Sequence, residues 1–174
     1  VLRDGIPLND PFFGYVQWSR VPLETIGRVE VVRGGYSSAW GNYAMGGVIN
    51  IVSREPTTTQ TALDAGYGSQ DTWRAKGYQA YALSPVVTLT GNANLWSTAG
   101  YNQVPPEMRA PLDIPTSFDS RSGELAALVH VDPSLGGFVR GAYYEGNQTL
   151  GSPLSTNWQR NVDFSAGVHK RFDS

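Results

Sequence analysis

From Thr57 onward the chain alternates apolar and polar residues. In Val86–Trp96, Val87, Leu89, Gly91, Ala93 and Leu95 share one parity, and Thr88, Thr90, Asn92 and Asn94 the other. The last segment repeats this, with Val162, Phe164, Ala166, Val168 and Phe172 opposed to Asn161, Asp163, Ser165, His169 and Arg171. Successive side chains of a strand point to opposite faces, so a period of two predicts strands with one apolar and one polar face. Weaker or partly broken alternation predicts four more strands, at Thr59–Gly68, Trp73–Leu83, Ser120–Val131 and Phe138–Asn147.

The links between these strands are uneven: short at Ser69–Thr72, very short at Ser84 and Pro85, long at Ser97–Asp119, short at Asp132–Gly137 and intermediate at Gln148–Asn157. If the strands run as antiparallel hairpins, both tight turns, at Ser84-Pro85 and Asp132–Gly137, fall at one end and the long link at the other. Strands of about ten residues with tight turns on one side and longer loops on the other are the sequence signature of a transmembrane β-barrel. Tyr67, Trp73, Trp96 and Trp158 then lie near the long-loop ends of their strands, and Tyr81 and Phe172 near the opposite ends, as aromatic girdles require. No apolar run reaches the length of a transmembrane helix, which leaves barrel strands untouched.

Residues 1–56 follow another grammar. Val1–Leu8 predicts a strand closed by a turn at Asn9, Asp10 and Pro11, followed by the aromatic loop FFGYVQWSR and a short helical turn at Leu23–Gly27. Ile26–Pro56 then predicts a strand (Arg28–Val32), a glycine turn (Gly34, Gly35), a polar helical segment (Ser37–Tyr43), a glycine pair (Gly46, Gly47) and a second strand (Val48–Ser53). The fold class expected is therefore mixed: a small α+β plug-like unit over 1–56, then antiparallel transmembrane β-barrel strands over 57–174, too few to close a barrel.

Composition narrows the function. Of 174 residues only 16% are charged, 11% are aromatic and 20 are glycine, a mix suited to short strands. The net charge of −2 gives no basic field, so nucleic acid is not an expected partner. There is no cysteine, which decides nothing about compartment. The chain carries no G-x-S-x-G, H-E-x-x-H or EF-hand pattern, and no lysine follows the glycines of Gly41–Gly47 as a phosphate loop needs. His130 and His169 lie on separate strands and read as polar lumen residues rather than ligands. We expect no enzyme, no catalytic residues, no metal site and no cofactor.

Three segments resemble a known family. VLRDGIPLNDPF (1–12), VPLETIGRVEVVRGG (21–35) and SSAWGNYAMGGVINIVSREP (37–56) are similar, in order and spacing, to the second half of the plug domain of TonB-dependent outer-membrane receptors. Trp40 stands where that family usually has Tyr, and Gly35 where Pro is common. The resemblance implies a barrel of about 22 strands around a plug, so most of the barrel, the first plug half and the TonB-binding segment would lie outside an internal fragment such as this. It implies TonB-energised uptake of a ferric siderophore, a cobalamin or a similar scarce nutrient across the outer membrane of a Gram-negative cell. The implied partners are a periplasmic TonB-type energy transducer, outer-membrane lipid, and a small-molecule or metal-chelate ligand.

The resemblance also distributes roles. Outward plug loops floor the ligand site in such receptors, which directs attention to Asn9, Asp10, Tyr15, Gln17 and Trp18, with Phe12 and Phe13 packing the plug. A plug is locked to its barrel by charge-assisted hydrogen bonds, which marks Glu30 and Arg33, and Glu124 with Arg74 or Lys76 on the lumen face. The proline-rich stretch 101–118 becomes an extracellular loop able to close over ligand. The rival readings are a soluble β-rich binding or adhesion module without transport, and a secreted β-rich hydrolase.

Overall fold

The computed structural model of the chain describes residues 1–10, 13–35, 46–132, 134–170 and 172. The segment expected to be helical, Ser37–Tyr43, lies outside the described residues, as do Phe12 and Trp40. The chain forms two compact units, Val1–Glu55 and Pro56–Ser174.

The first unit is a four-stranded mixed sheet in the order β2-β1-β4-β3, from β1 (Leu2–Arg3), β2 (Ile6–Pro7), β3 (Ile26–Arg33) and β4 (Gly47–Ser53). The single strand expected over Val1–Leu8 is instead two short strands folded on each other, Leu2 opposite Pro7 and Arg3 opposite Ile6. The reason is Asp4-Gly5, whose φ values of 50° and 80° make a primed hairpin turn, for which Asp-Gly is a favoured pair. Strand β1 runs parallel to β4, and β4 antiparallel to β3, with Glu30 opposite Asn50. The helical turn expected at Leu23–Gly27 is a 3-10 turn at Leu23–Thr25.

Hydrogen bonds tie together the sequence segments that carried the resemblance. Arg3 is buried and donates to Ser53 Oγ (3.1 Å) and Thr25 Oγ1 (3.1 Å), while Asp4 accepts from the Ser53 amide (2.8 Å) and hydroxyl (2.7 Å). The Thr25 hydroxyl in turn donates to the Pro22 carbonyl at 2.8 Å. A buried guanidinium must be bonded to be tolerated, so these short polar residues are part of the fold. Leu2, Val48 and Ile51 supply the apolar part of the core.

The second unit is one antiparallel sheet of six strands in sequence order: β5 (Gln60–Gly68), β6 (Thr72–Ala82), β7 (Val87–Tyr101), β8 (Thr116–Asp132), β9 (Leu135–Ser152) and β10 (Ser155–Lys170). All six expected strands are present in the expected hairpin order. Strands β7 to β10 are longer at one end than alternation predicted: the long link contracts to 102–115, and the intermediate link at Gln148–Asn157 to Pro153 and Leu154. The tight turns at the other end are held by short side chains. Ser84 Oγ accepts from the amides of Val86 and Val87, and Asp132 Oδ1 from those of Ser134 and Leu135.

The two faces of this sheet are inverted relative to a water-soluble protein. Register aligns Ala80 with Thr90, Thr90 with Ala126, Ala126 with Arg140, and Arg140 with Ser165 on one face. That face holds the buried residues, polar Thr88 (2% exposed), Glu124 (7%) and Arg140 (7%) among them. The opposite face presents Leu63 (83%), Leu125 (74%), Phe164 (84%) and Val168 (83%) to the outside. A contiguous apolar exterior over a polar interior has its low-energy partner in hydrocarbon.

Candidate functional site

In the first unit the loop after β2 is built by its own polar side chains. Asn9 Nδ2 donates to the Gly14 carbonyl at 2.7 Å, and Asp10 Oδ1 accepts from the Phe13 amide at 2.8 Å. Backbone bonds from Asp10 to Tyr15 and from Gly14 to Asp10 close the turn, with Gly14 at φ 74°. Asn9 and Asp10 therefore shape the loop, which is how short Asx side chains commonly act in turns.

What the loop displays is aromatic. Phe13 and Tyr15 stack with ring centres 6.1 Å apart, and Phe13, Tyr15 and Trp18 are all exposed. Gln17 donates to Ser19 Oγ at 3.2 Å, beside the 3-10 turn that carries Trp18. The five expected contact residues are thus within one loop, two as its frame and three displayed along it. Phe13 is 73% exposed within this unit, where the Asp10 turn sets it beside Tyr15.

Glu30 and Arg33 lie on β3. Glu30 accepts from Arg28 Nε at 2.9 Å and Asn50 Nδ2 at 3.0 Å. These bonds, Asn50 first, hold its carboxyl below the usual glutamate value of 4.5. A lowered folded-state pKa adds stability above the unfolded value and loses it as pH falls through the folded one. Glu30→Gln is therefore expected to flatten the acid limb below about pH 4.5 and leave stability at pH 7 to 8 independent of pH, measured by urea midpoints across pH. Arg33 ends β3 opposite Gly47 and is exposed.

In the second unit Glu124 faces Arg140 on the neighbouring strand, Oε1 to Nε 3.5 Å, with both side chains buried. Arg140 also lies over the Phe138 ring at 4.7 Å. Buried Tyr78 and Tyr144 share this face by register, as do Asn92, Ser122 and Asp163. Arg74 and Lys76 share it too, and Arg74 Nε meets Asp64 at 3.0 Å. His130 and His169 fall on one row of it, on either side of Gly136. Sequence reasoning selected Glu124 and missed Arg140, although both have even parity in strands joined by a tight turn. Among the described residues no group of three or more His, Cys, Asp or Glu is placed to hold a metal ion.

The aromatic girdle is a row of register partners on the apolar face: Tyr67, Trp73, then Ser97, Asp119, Asn147 and Trp158. Trp96 does not join it. It has the parity of Asn92 and Asn94, and meets Phe118 edge-on at 5.1 Å on the polar face.

A small mixed sheet is thus followed by six antiparallel strands with a face that buries charged groups and a face that exposes apolar ones. Residues 1–48 match the TonB-dependent receptor plug domain, so this chain carries a TonB-dependent receptor plug segment. It is 36% identical over 112 residues to the vitamin B12 transporter BtuB of Vibrio cholerae, a match covering 60% of this chain and 17% of that one. The chain thus spans about a sixth of the length of the curated relatives it matches.

Solved structures extend the likeness in fold. The ferric enterobactin receptor PfeA of Pseudomonas aeruginosa, in complex with enterobactin, superposes with a TM-score of 0.70 at 16% identity, over 99% of this chain and 31% of that one. The P. aeruginosa receptor FpvA with bound pyoverdine gives 0.64 at 16% identity, over 96% and 24%. The siderophore receptor PirA of Acinetobacter baumannii gives 0.62 at 16% identity, over 86% and 24%.

Proposed function

We propose that this chain is the C-terminal half of the plug and the first six barrel strands of a TonB-dependent receptor in the outer membrane. The receptor takes up a scarce bulky nutrient at the expense of TonB-delivered energy. The observation that carries this reading is the inverted sheet directly following a plug segment: Phe164 and Val168 outside, Glu124 and Arg140 inside. A soluble binding or adhesion module would bury the first pair and expose the second.

No bond is made or broken in such a function. Ligand binds on the loop after β2, with Tyr15 and Trp18 as stacking surfaces, Gln17 as a polar contact, and Asn9 and Asp10 keeping the loop in shape. A TonB-type partner in the periplasm pulls on the plug and opens the path. Sequence likeness is to vitamin B12 transporters, whereas the siderophore receptors share only the fold, so cobalamin is the first ligand to test.

The test is ligand binding to outer membranes of cells expressing the full-length polypeptide, with cobalamin and ferric siderophores as ligands. Binding of one of them, weakened by about ten-fold in Tyr15→Ala or Trp18→Ala as expected for loss of a stacking contact, supports the reading. Recovery of the polypeptide as a water-soluble monomer contradicts it.

A further inference from the structure

On the apolar face three charged side chains share one row, and its place is informative. Arg121 on β8, Glu145 on β9 and Arg160 on β10 are direct register partners, so three neighbouring strands set Arg, Glu and Arg side by side. The row lies one step inward of the Tyr67–Trp73–Trp158 girdle, toward the apolar band. Bare charge there is costly in hydrocarbon, and it is tolerated at the depth of lipid headgroups.

Glu145 is the hub. Arg121 reaches it through Nη2 at 2.5 Å and Nε at 2.9 Å, Trp158 Nε1 donates at 3.2 Å, and the Tyr143 hydroxyl donates as well. Arg160 is held loosely, at 3.6 Å, and lies over the Trp158 ring at 4.9 Å. The side chains of Arg121 and Arg160 are 62% and 51% exposed against 17% for Glu145. One carboxylate thus bridges two guanidinium groups that are directed outward, and Asp119, one row further out on β8, accepts from Ser97 Oγ at 2.5 Å.

Immediately inward of this row the sheet is dented. The next two rows are Gly123, Tyr143 and Val162, then Leu125, Gly141 and Phe164. Gly123 floors a groove of about 750 Å³ walled by Leu125, Tyr143, Val162 and Phe164, whose ring lies over Gly141, with Arg121 at its mouth. A cationic rim joined to an apolar trough is complementary to an amphiphile with an anionic head and an acyl tail.

We propose that Arg121, Arg160 and the groove floored by Gly123 form a seat for a phosphate-bearing acyl lipid of the outer leaflet. Its phosphate lies between the two guanidinium groups and one acyl chain lies along the groove. Guanidinium suits this task because its planar fork pairs two phosphate oxygens at once. The inference rests on the outer-membrane reading.

The experiment uses the full-length polypeptide extracted from membranes in mild detergent and analysed by native mass spectrometry. The probes are diphosphoryl lipid A, phosphatidylcholine and inorganic phosphate. Wild type is expected to retain lipid A and neither of the others. R121Q with R160Q, folded as judged by unchanged heat-modifiable gel migration, is expected to retain it about ten-fold less, as loss of two charge-assisted hydrogen-bond donors requires. Gly123→Leu, which fills the groove and leaves both arginines, is expected to weaken retention as well.

Equal retention by the double arginine variant overturns the proposal. So does retention of inorganic phosphate as strong as that of lipid A, which makes the row a simple anion site. A dimer that R121Q with R160Q dissociates assigns the face to a second copy and overturns it too. Lipid-free protein recovered from the outer-membrane fraction defeats this inference alone, whereas absence of the polypeptide from that fraction defeats the receptor reading with it.

Discussion

Phe164→Arg is expected to destabilise the membrane-inserted protein by about 2–4 kcal/mol, the cost of a basic side chain near the bilayer midplane on the lipid face of a barrel. Phe164 lies three rows inward of the girdle row that holds Trp158, and three rows from the far end of its strand at Lys170. Leu154→Arg is the matched control. Leu154 is 86% exposed and Phe164 84%, so in water the two substitutions would be equally harmless. Leu154 sits at the tip of the β9–β10 hairpin, beyond the girdle, where arginine is solvated and the expected change is within about 0.5 kcal/mol. Urea unfolding of the barrel in lipid vesicles reads the difference, and equal midpoints for the two variants would place both residues in water.

Arg140→Leu is expected to cost about 3–5 kcal/mol, because it leaves the Glu124 carboxylate buried without its partner. Glu124→Gln together with Arg140→Met removes both charges and is expected to recover most of that loss, since an apolar or neutral pair of similar volume carries no such burial penalty. The double-mutant cycle measured by the same unfolding assay isolates the coupling. A coupling near zero would mean that each side chain is stabilised mainly by other neighbours.

How much was legible in the sequence depended on whether a physical constraint repeated itself. Strand β7 was readable because every second position from Val87 to Leu95 meets the same apolar surroundings, and its neighbours Thr88 to Asn94 the opposite ones. The ends were not readable. Ser97 to Tyr101 and Thr149 to Ser152 lose the alternation of apolar and polar residues yet continue as strand through backbone pairing. The 97–119 link therefore looked longer than it is.

Trp96 was misplaced for a different reason. Its nearness to a strand end suggested a girdle, whereas its parity with Asn92 and Asn94 already fixed its face. In the first unit, hydrophobic pattern suggested one strand over Val1–Leu8 and overlooked that Asp4-Gly5 is itself a hairpin signal. The loop residues were located by aromatic content and by resemblance. That Asn9 and Asp10 frame the loop while Tyr15 and Trp18 are displayed follows from hydrogen bonds that composition does not encode.

The account stands on the assignment of the two faces of the six-stranded sheet, and the absence of cysteine from the chain allows a direct test. Single cysteines at positions 87 to 95 of β7, spin-labelled in outer-membrane vesicles, report accessibility to oxygen, which concentrates in hydrocarbon, and to a water-soluble nickel chelate. The account predicts a period of two: Leu89, Ala93 and Leu95 accessible to oxygen and shielded from nickel, and Thr90, Asn92 and Asn94 shielded from oxygen. Nickel access at Leu89, Ala93 and Leu95 equal to that of an exposed loop position would contradict it, and with it the barrel.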